Sequence, residues 1–384
     1  MNQTEIIRSF GTEYKQMTKR VISHANIEEE IKNKWESLKG EKNLYEMRIA
    51  IKPNLVSPTP ASFGATTHPE VVEGIIEYLQ EKGFKDITIM EGSWVGDKTA
   101  EAFEYCGYED MARRLGVKLI DTQKDGARKV LCGDMEINIC NCTKDVDFMI
   151  NVPVLKGHCQ TKITCALKNM KGLIPNSEKR LFHSLGLHKP IAALNLGVKQ
   201  DFIVIDHICG DLDFEDGGHP VTRNCVMAAK DPVLVDTYVC KLLGYEVEEV
   251  PYICRAASLG IGSLDIDNAD IVTLQGEEGT SYETLEKRRR IMDINYDVEE
   301  VESCSACYGA LMEALDKLES EGLLASLDMK IGIGQGYRGK SGKLGVGNCT
   351  RDFEISVPGC PPKAKDIYDV LKKVINENII KKNF

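Results

Sequence analysis

The chain has 384 residues, 42% of them hydrophobic and 28% charged, with a formal net charge of −11. That length exceeds what one hydrophobic core usually supports, so two domains, or one large sheet with an appended domain, are expected of an ordinary globular composition. The acidic balance and the lack of a long basic run exclude a nucleic-acid surface and disfavour an anionic membrane surface.

The opening residues, Met1-Asn2-Gln3-Thr4-Glu5, lack the basic-then-apolar order of a secretory signal, and no run of about 18 apolar residues could span a bilayer. A cytoplasmic location is therefore expected. Fourteen cysteines without an export signal predict reduced thiols rather than a disulfide framework, and an oxygen-poor cell would tolerate them most easily.

Residues 1 to about 45 carry mixed charge at helical spacing. Met47-Arg48-Ile49-Ala50-Ile51 reads as a buried strand that ends in Lys52-Pro53-Asn54. A helix is expected from Pro69, with Val72, Ile75, Ile76 and Leu79 as its apolar stripe and Gly83 as its C-terminal cap. A strand at Ile87-Thr88-Ile89-Met90, a helix over about 99–114 and a strand at Val117-Lys118-Leu119-Ile120 follow. This alternation predicts a parallel sheet covered by helices.

A second series begins at Phe148-Met149-Ile150-Asn151-Val152 and continues through Phe202-Ile203-Val204-Ile205. Asp231-Pro232 starts a helix that ends at Gly244. Residues 276–300, rich in Glu, Lys and Arg, read as a solvated link. Beyond them a helix over about 307–324, a strand at Met329–Ile333, a glycine-rich loop, a strand at Phe353–Val357 and a helix over about 362–376 are expected. The fold class is α/β, with parallel or mixed sheets flanked by helices and a smaller C-terminal α/β domain. The expected division is 1–275, with room for a subdomain break near residue 145, a linker at 276–300, and 301–384.

Four cysteines in that last region stand in Cys304-Ser305-Ala306-Cys307, Gly347-Asn348-Cys349 and Pro358-Gly359-Cys360-Pro361-Pro362. Four thiolates are the usual ligand set of a [4Fe–4S] cluster, and a proline right after a ligating cysteine recurs at such sites. A structural zinc site also takes four thiolates, but usually as two close pairs, whereas ten residues separate Cys349 from Cys360. Scattered buried cysteines are the third reading.

Gly334-Gln335-Gly336-Tyr337-Arg338-Gly339-Lys340-Ser341 matches the phosphate-loop pattern GxxxxGK[ST]. Such a loop must open into a helix whose amides face the phosphates, and Gly342, Gly345 and Gly347 argue against one. A wrap around the cluster is the preferred reading.

The run from Lys156 to Gly172 is a second candidate site. A helix there would place Ile163, Ala166, Leu167 and Met170 on one face, and Thr161, Thr164, Lys168 and Lys171 on another. Cations, hydroxyls and His158 at a strand end suit an anionic ligand, with His158 able to move a proton near neutral pH. A solvated helix face with surface lysines is the bland alternative. Asn169, His183 and His188 could join the site. The acidic run Asp206, Asp211, Asp213, Glu215 and Asp216 misses the calcium-loop pattern and reads as a charged surface turn.

Several of these stretches resemble the domain-of-unknown-function family 362, whose members are often associated with iron–sulfur centres. The likeness rests on Lys52-Pro53-Asn54-Leu55, on Val152 to Gly172 with Lys156, His158, Thr164, Lys168, Asn169 and Gly172, on Asp206 with Gly217-Gly218, and on Ala229-Lys230-Asp231-Pro232 through Asp236 to Gly244. It covers about residues 45 to 260, with Lys168-Asn169 its most specific block. The resemblance implies that Lys156, His158, Lys168 and Asn169 line a functional cleft. The C-terminal cysteine motifs are similar to the proximal-cluster site of hydrogenase small subunits and of the related complex I subunit, without implying hydrogenase activity.

The expectation from the sequence is an iron–sulfur oxidoreductase. Cys304, Cys307, Cys349 and Cys360 hold a [4Fe–4S] cluster that delivers single electrons to a small anionic or carbonyl-bearing substrate. Lys156 and Lys168 stabilise developing negative charge, His158 supplies a proton, and Lys52, Asn54, Asn169 and His183 bind substrate. A ferredoxin-like donor is the expected electron source, a flavin is left open as a second cofactor although no segment identifies its site, and a homodimer is left open. The alternatives are an electron-transfer or activating protein acting on a partner protein, and a non-redox enzyme with a structural cluster.

Overall fold

A computed structural model of the chain describes residues 2–39, 42–212, 220–276, 294–295 and 297–382. The chain divides into two compact units, Met1–Lys179 with Leu187–Lys287, and Arg180–Gly186 with Arg288–Phe384.

In the first unit the described strands are β1 (Glu5–Phe10), β2 (Ile49–Pro53), β3 (Ile87–Glu91), β4 (Lys118–Asp121), β5 (Ala127–Cys132), β6 (Met135–Cys140), β7 (Phe148–Val152), β8 (Lys156–His158), β9 (Lys162–Thr164), β10 (Phe202–Asp211), β11 (Pro220–Ala229) and β12 (Asp270–Gln275). Eight of them form one sheet in the order β12-β1-β11-β10-β7-β2-β3-β4. From β10 to β4 every pairing is parallel, while β11 runs antiparallel to both β10 and β1. β2 and β7 are buried at every position, as parallel strands covered on both faces must be, and this is why their sequences read as continuous apolar runs. One sheet thus draws strands from both sides of residue 145.

Helices α1 (Tyr14–His24), α2 (Ile27–Ser37) and α3 (Pro69–Glu81) are followed by α4 (Thr99–Tyr105) and α5 (Tyr108–Leu115). Met17, Val21, Val72, Ile75, Ile51, Ile89, Ile150 and Val204 share one apolar core between these helices and the sheet. The remaining helices of this unit include α6 (Ala166–Asn169), α7 (Asn176–Ser184, which runs into the second unit), α8 (His188–Gly197), α9 (Pro232–Leu243) and α10 (Pro251–Ser258). Asp231 caps α9 by accepting from the N–H groups of Val233 and Leu234 at 2.8 and 2.9 Å.

Three expectations change. The N-terminal stretch begins with β1 rather than with helix alone. The helix expected over 99–114 is two helices, broken at Gly107, whose φ of +78° no helical residue adopts. The helix expected from Thr161 to Lys171 is instead the antiparallel hairpin β8–β9 followed by the short α6 and a 3-10 turn, Met170–Leu173. Nearly every side chain there is buried, so helical periodicity carried no information about an exposed face. Most of the link expected at 276–300 lies outside the described residues.

The second unit is built on β13 (Val298–Glu300), β14 (Ile331–Ile333), β15 (Leu344–Val346) and β16 (Ile355–Val357), with helices α11 (Ser305–Ser320) and α12 (Ala364–Lys382). Its four strands pair in chain order and all in parallel. No α-helix follows the GxxxxGK[ST] run; β15 does, as the glycines implied. Among the described residues no helix is long and apolar enough to cross a membrane.

Candidate functional site

In a parallel α/β sheet the loops leaving the strand carboxyl ends gather on one edge, where ligands sit. In the first unit Lys52 at the end of β2 pairs in register with Asn151 of β7, and Glu91 closes β3. Lys52 Nζ lies 2.8 Å from Glu91 Oε2, donates to Pro53 O at 2.7 Å and reaches Asn169 Oδ1 at 3.2 Å. Asn169 Nδ2 in turn donates to Asn151 Oδ1 at 2.7 Å. Burial pulls the Lys52 ammonium below the usual lysine range, with the Glu91 charge opposing. Glu91 also accepts from the N–H groups of Leu55 and Gly92.

Gly172 is glycine because of this cluster. A Cβ built there would strike Glu91 Oε1 and stand 2.5 Å from Lys52 Cε. Lys179, absent from the sequence-based site, completes the group by donating to Gly92 O and Ser93 O at 3.0 and 2.7 Å. Burial holds its amine down to about 8. Asn54 follows directly, with its backbone fixed by Thr67 through N–H to Oγ1 at 2.8 Å. Its side-chain Oδ1 is buried and accepts no hydrogen bond among the described residues.

The hairpin places Lys156, His158, Thr161 and Thr164 in the interior, each 2% exposed or less. This removes the solvated-face alternative. Lys156 Nζ donates to Ala65 O at 2.7 Å, and Lys168 Nζ reaches Thr164 Oγ1 at 3.2 Å. His158 Nδ1 accepts from the N–H groups of Gln160 and Thr161 at 3.0 and 3.1 Å, which assigns the proton of the neutral ring to Nε2. The Ala166 and Leu167 amides at the start of α6 donate to Asp236, whose carboxyl is pushed up to about 7 by burial, with these hydrogen bonds opposing.

Asp206 and Asp211 are fully buried on β10, not on a surface turn as expected. Asp206 Oδ2 accepts from His68 N and pairs with His68 Nδ1 at 2.7 and 2.8 Å. Burial alone would lower the His68 pKa, but the Asp206 charge and hydrogen bond outweigh it and raise it. Asp213, Glu215 and Asp216, with Gly217 and Gly218, lie outside the described residues.

The second unit gathers its cysteines in the same way. Cys304 and Cys307 follow β13, Cys349 follows β15 and Cys360 follows β16, so all four leave strand carboxyl ends on one edge. Two loops are clasped by Asn348: its N–H donates to Gly359 O at 2.9 Å and its Oδ1 accepts from Gly359 N at 2.8 Å. The position a Cβ would take on Gly347 is 3.8 Å from Cys307 Sγ, which brings the CxxC to the clasp. Burial first, then the nearby Cys304, Cys360 and Cys349, push the Cys307 thiol up to about 12. Cys360 is exposed and the other three are half-buried. His183 falls in this unit, its Nε2 3.5 Å from Ser305 Oγ between the two CxxC cysteines.

Among the described residues no three His, Cys, Asp or Glu side chains are drawn tightly enough to enclose a single metal ion. Tetrahedral zinc needs its sulfurs at ~2.3 Å from one centre. Four thiols leaving one sheet edge are the donor chemistry that a cuboidal iron–sulfur cluster takes, one thiolate to each iron. None of the fourteen cysteines forms a disulfide.

A mostly parallel sheet flanked by helices, with a polar, buried cluster at its carboxyl edge, defines an α/β protein. The family model described as "Domain of unknown function (DUF362)" matches residues 49–241, just over half of the chain, and the chain belongs to that family. It is similar to the thylakoid-associated protein sll1697 of Synechocystis sp., 28% identical over 223 residues that make up 56% of this chain and 68% of that one. Among solved structures it is similar to the lactate racemase apoprotein from Thermoanaerobacterium thermosaccharolyticum, at 13% identity and a TM-score of 0.38, over 62% of this chain. The match spans 56% of the racemase chain.

Proposed function

We propose that the protein is an iron–sulfur redox protein in which Cys304, Cys307, Cys349 and Cys360 hold a [4Fe–4S] cluster that exchanges single electrons with a ferredoxin-like protein. The observation that carries this reading is the convergence of four thiols, from three loops, on one edge of an all-parallel sheet. Such a cluster supplies one-electron chemistry, and four cysteine ligands leave no open iron position for a substrate. The exposure of Cys360 supports electron exchange with a second protein, because a cluster edge open to solvent can be approached closely. Reduced thiols suit the cytoplasm.

Asn54 favours a second reading, in which the first unit binds a small hydroxyl- or amide-bearing compound. A buried carbonyl oxygen without a donor costs about 1–3 kcal/mol, and a ligand N–H or O–H at the strand edge would satisfy it. The cations proposed for an anionic substrate are committed elsewhere: Lys52 to Glu91, Lys156 to Ala65 O, and Lys168 to Thr164. Positive charge at that edge therefore lends an anionic ligand little support. His158, held as a neutral ring by the two N–H groups on its Nδ1, would serve this reading as a hydrogen-bond donor through Nε2–H rather than as an acid.

Anaerobic purification followed by iron and sulfide analysis tests the first reading. A brown protein with about four irons and matching sulfide, bleached by dithionite, is expected. One tightly bound zinc and no sulfide overturns it.

A further inference from the structure

We propose that Arg338 tunes the reduction potential of the cluster, a role that rests on the iron–sulfur reading above. The strand order β13-β14-β15-β16 places β14 among three strands whose carboxyl ends carry cysteines, while its own loop carries none. That loop holds the GxxxxGK[ST] run, and it brings a guanidinium instead of a thiolate to the edge. The 3-10 turn Gln335–Tyr337, which leads directly into Arg338, packs against the turn Asn348–Thr350 that carries Cys349, and the sulfurs of Cys349, Cys304 and Cys360 raise the Arg338 pKa.

The cation is held in place. Arg338 Nη2 donates to Gln335 Oε1 at 3.1 Å, and Gln335 Nε2 donates to Arg180 O at 3.2 Å, inside the same unit. Each electron taken up adds a negative charge to an assembly that is already anionic, and no bond to a thiolate forms or breaks. A fixed cation stabilises the reduced form more than the oxidised one and so raises the potential; charge and hydrogen bonds to the sulfurs are the known levers on such centres. Arg338 is exposed, which tempers the effect.

The test is a dithionite-driven redox titration of the anaerobically purified full chain, followed by its absorption and electron paramagnetic resonance signals. Arg338→Gln is expected to keep its iron and sulfide and to shift the equilibrium about tenfold toward the oxidised form, a potential lower by about 59 mV for one electron. Arg338→Lys, which keeps the charge, is expected to stay within about threefold of wild type. An Arg338→Gln protein with full cluster content and an unchanged potential overturns the proposal. Should that variant fail to assemble the cluster, Arg338→Lys decides: a shift as large as tenfold with the charge retained refutes the charge argument, and a near-wild-type potential supports it. A wild-type protein without iron and sulfide would instead overturn the parent reading.

Discussion

Lys52 and Glu91 form an ion pair of 2.8 Å at the edge of the first unit's sheet, with side chains only 1% and 3% exposed. Two charges so far from water are tolerated because each has further partners: a backbone carbonyl and Asn169 for the ammonium, two backbone N–H groups for the carboxylate. The pair orders the turn after β2, which carries Asn54.

Removing one partner should cost more than removing both. Glu91→Gln strands a buried ammonium, and a loss of about 3–5 kcal/mol in urea unfolding is expected. The double variant Lys52→Met/Glu91→Leu should lose clearly less than the sum of the single losses. Additive losses would mean that the two groups do not interact.

Gly172→Ala should be destabilising by about 1–3 kcal/mol although it only adds a methyl group, because that methyl meets Glu91 and Lys52 below contact distance. Gly116→Ala is the contrast: a Cβ there has nothing within 4 Å and the residue has a φ of +67°, so backbone strain alone acts. A smaller effect at Gly172 than at Gly116, by thermal denaturation, would count against the close packing described.

Asp236 makes stability depend on pH. Its folded carboxyl titrates at about 7 rather than at the ordinary 3.8, so between those values the folded state binds more protons than the unfolded one. Stability should therefore fall as pH rises through that window, by on the order of 1 kcal/mol per pH unit. Urea midpoints of wild type at pH 5 and pH 7.5 should differ in that sense, and Asp236→Asn should flatten the difference. A wild-type midpoint that climbs between these pH values refutes the assignment.

Under the proposed iron–sulfur reading, Cys360→Ala should abolish the brown chromophore by deleting one of the four proposed ligands, whereas Cys106→Ala should leave the spectrum unchanged. Cys106 is buried in the first unit, where its thiol lies 3.2 Å from Thr59 O. Equal spectra for the two variants would remove Cys360 from the ligand set.

The parallel strands were readable in the chain because burial on both faces leaves nothing but apolar residues, as in Ile49-Ala50-Ile51. β1 was not readable: its six residues, Glu5 to Phe10, mix charge with short apolar pairs, and only pairing with β11 and β12 makes them a strand. The hairpin β8–β9 was misread for the opposite reason, since a segment buried on all sides shows a helical spacing by accident.

Lys52 and Asn54 were legible at a strand end and Asn169 through the family resemblance, and the structure brings Lys52 and Asn169 into one network. Glu91 and Lys179 were missed. Glu91 stands in Met90-Glu91-Gly92-Ser93 and Lys179 in Ser177-Glu178-Lys179-Arg180, where local composition reads as solvated loop or charged surface. The one available clue was the pair Gly92 and Gly172, each placed where a side chain would strike the cluster. His183, expected among the substrate-binding residues, lies next to Ser305 in the second unit.

That second unit is assembled from two separate stretches of polypeptide, a seven-residue excursion at Arg180–Gly186 and the C-terminal part from Arg288. A truncated protein starting at residue 288 would leave behind Arg180, whose carbonyl anchors Gln335, and His183 beside the CxxC. Excision at the obvious boundary would yield a fragment lacking part of its own floor, and replacing that excursion by a short linker would test how far the cysteine-bearing half relies on a segment inserted more than a hundred positions earlier.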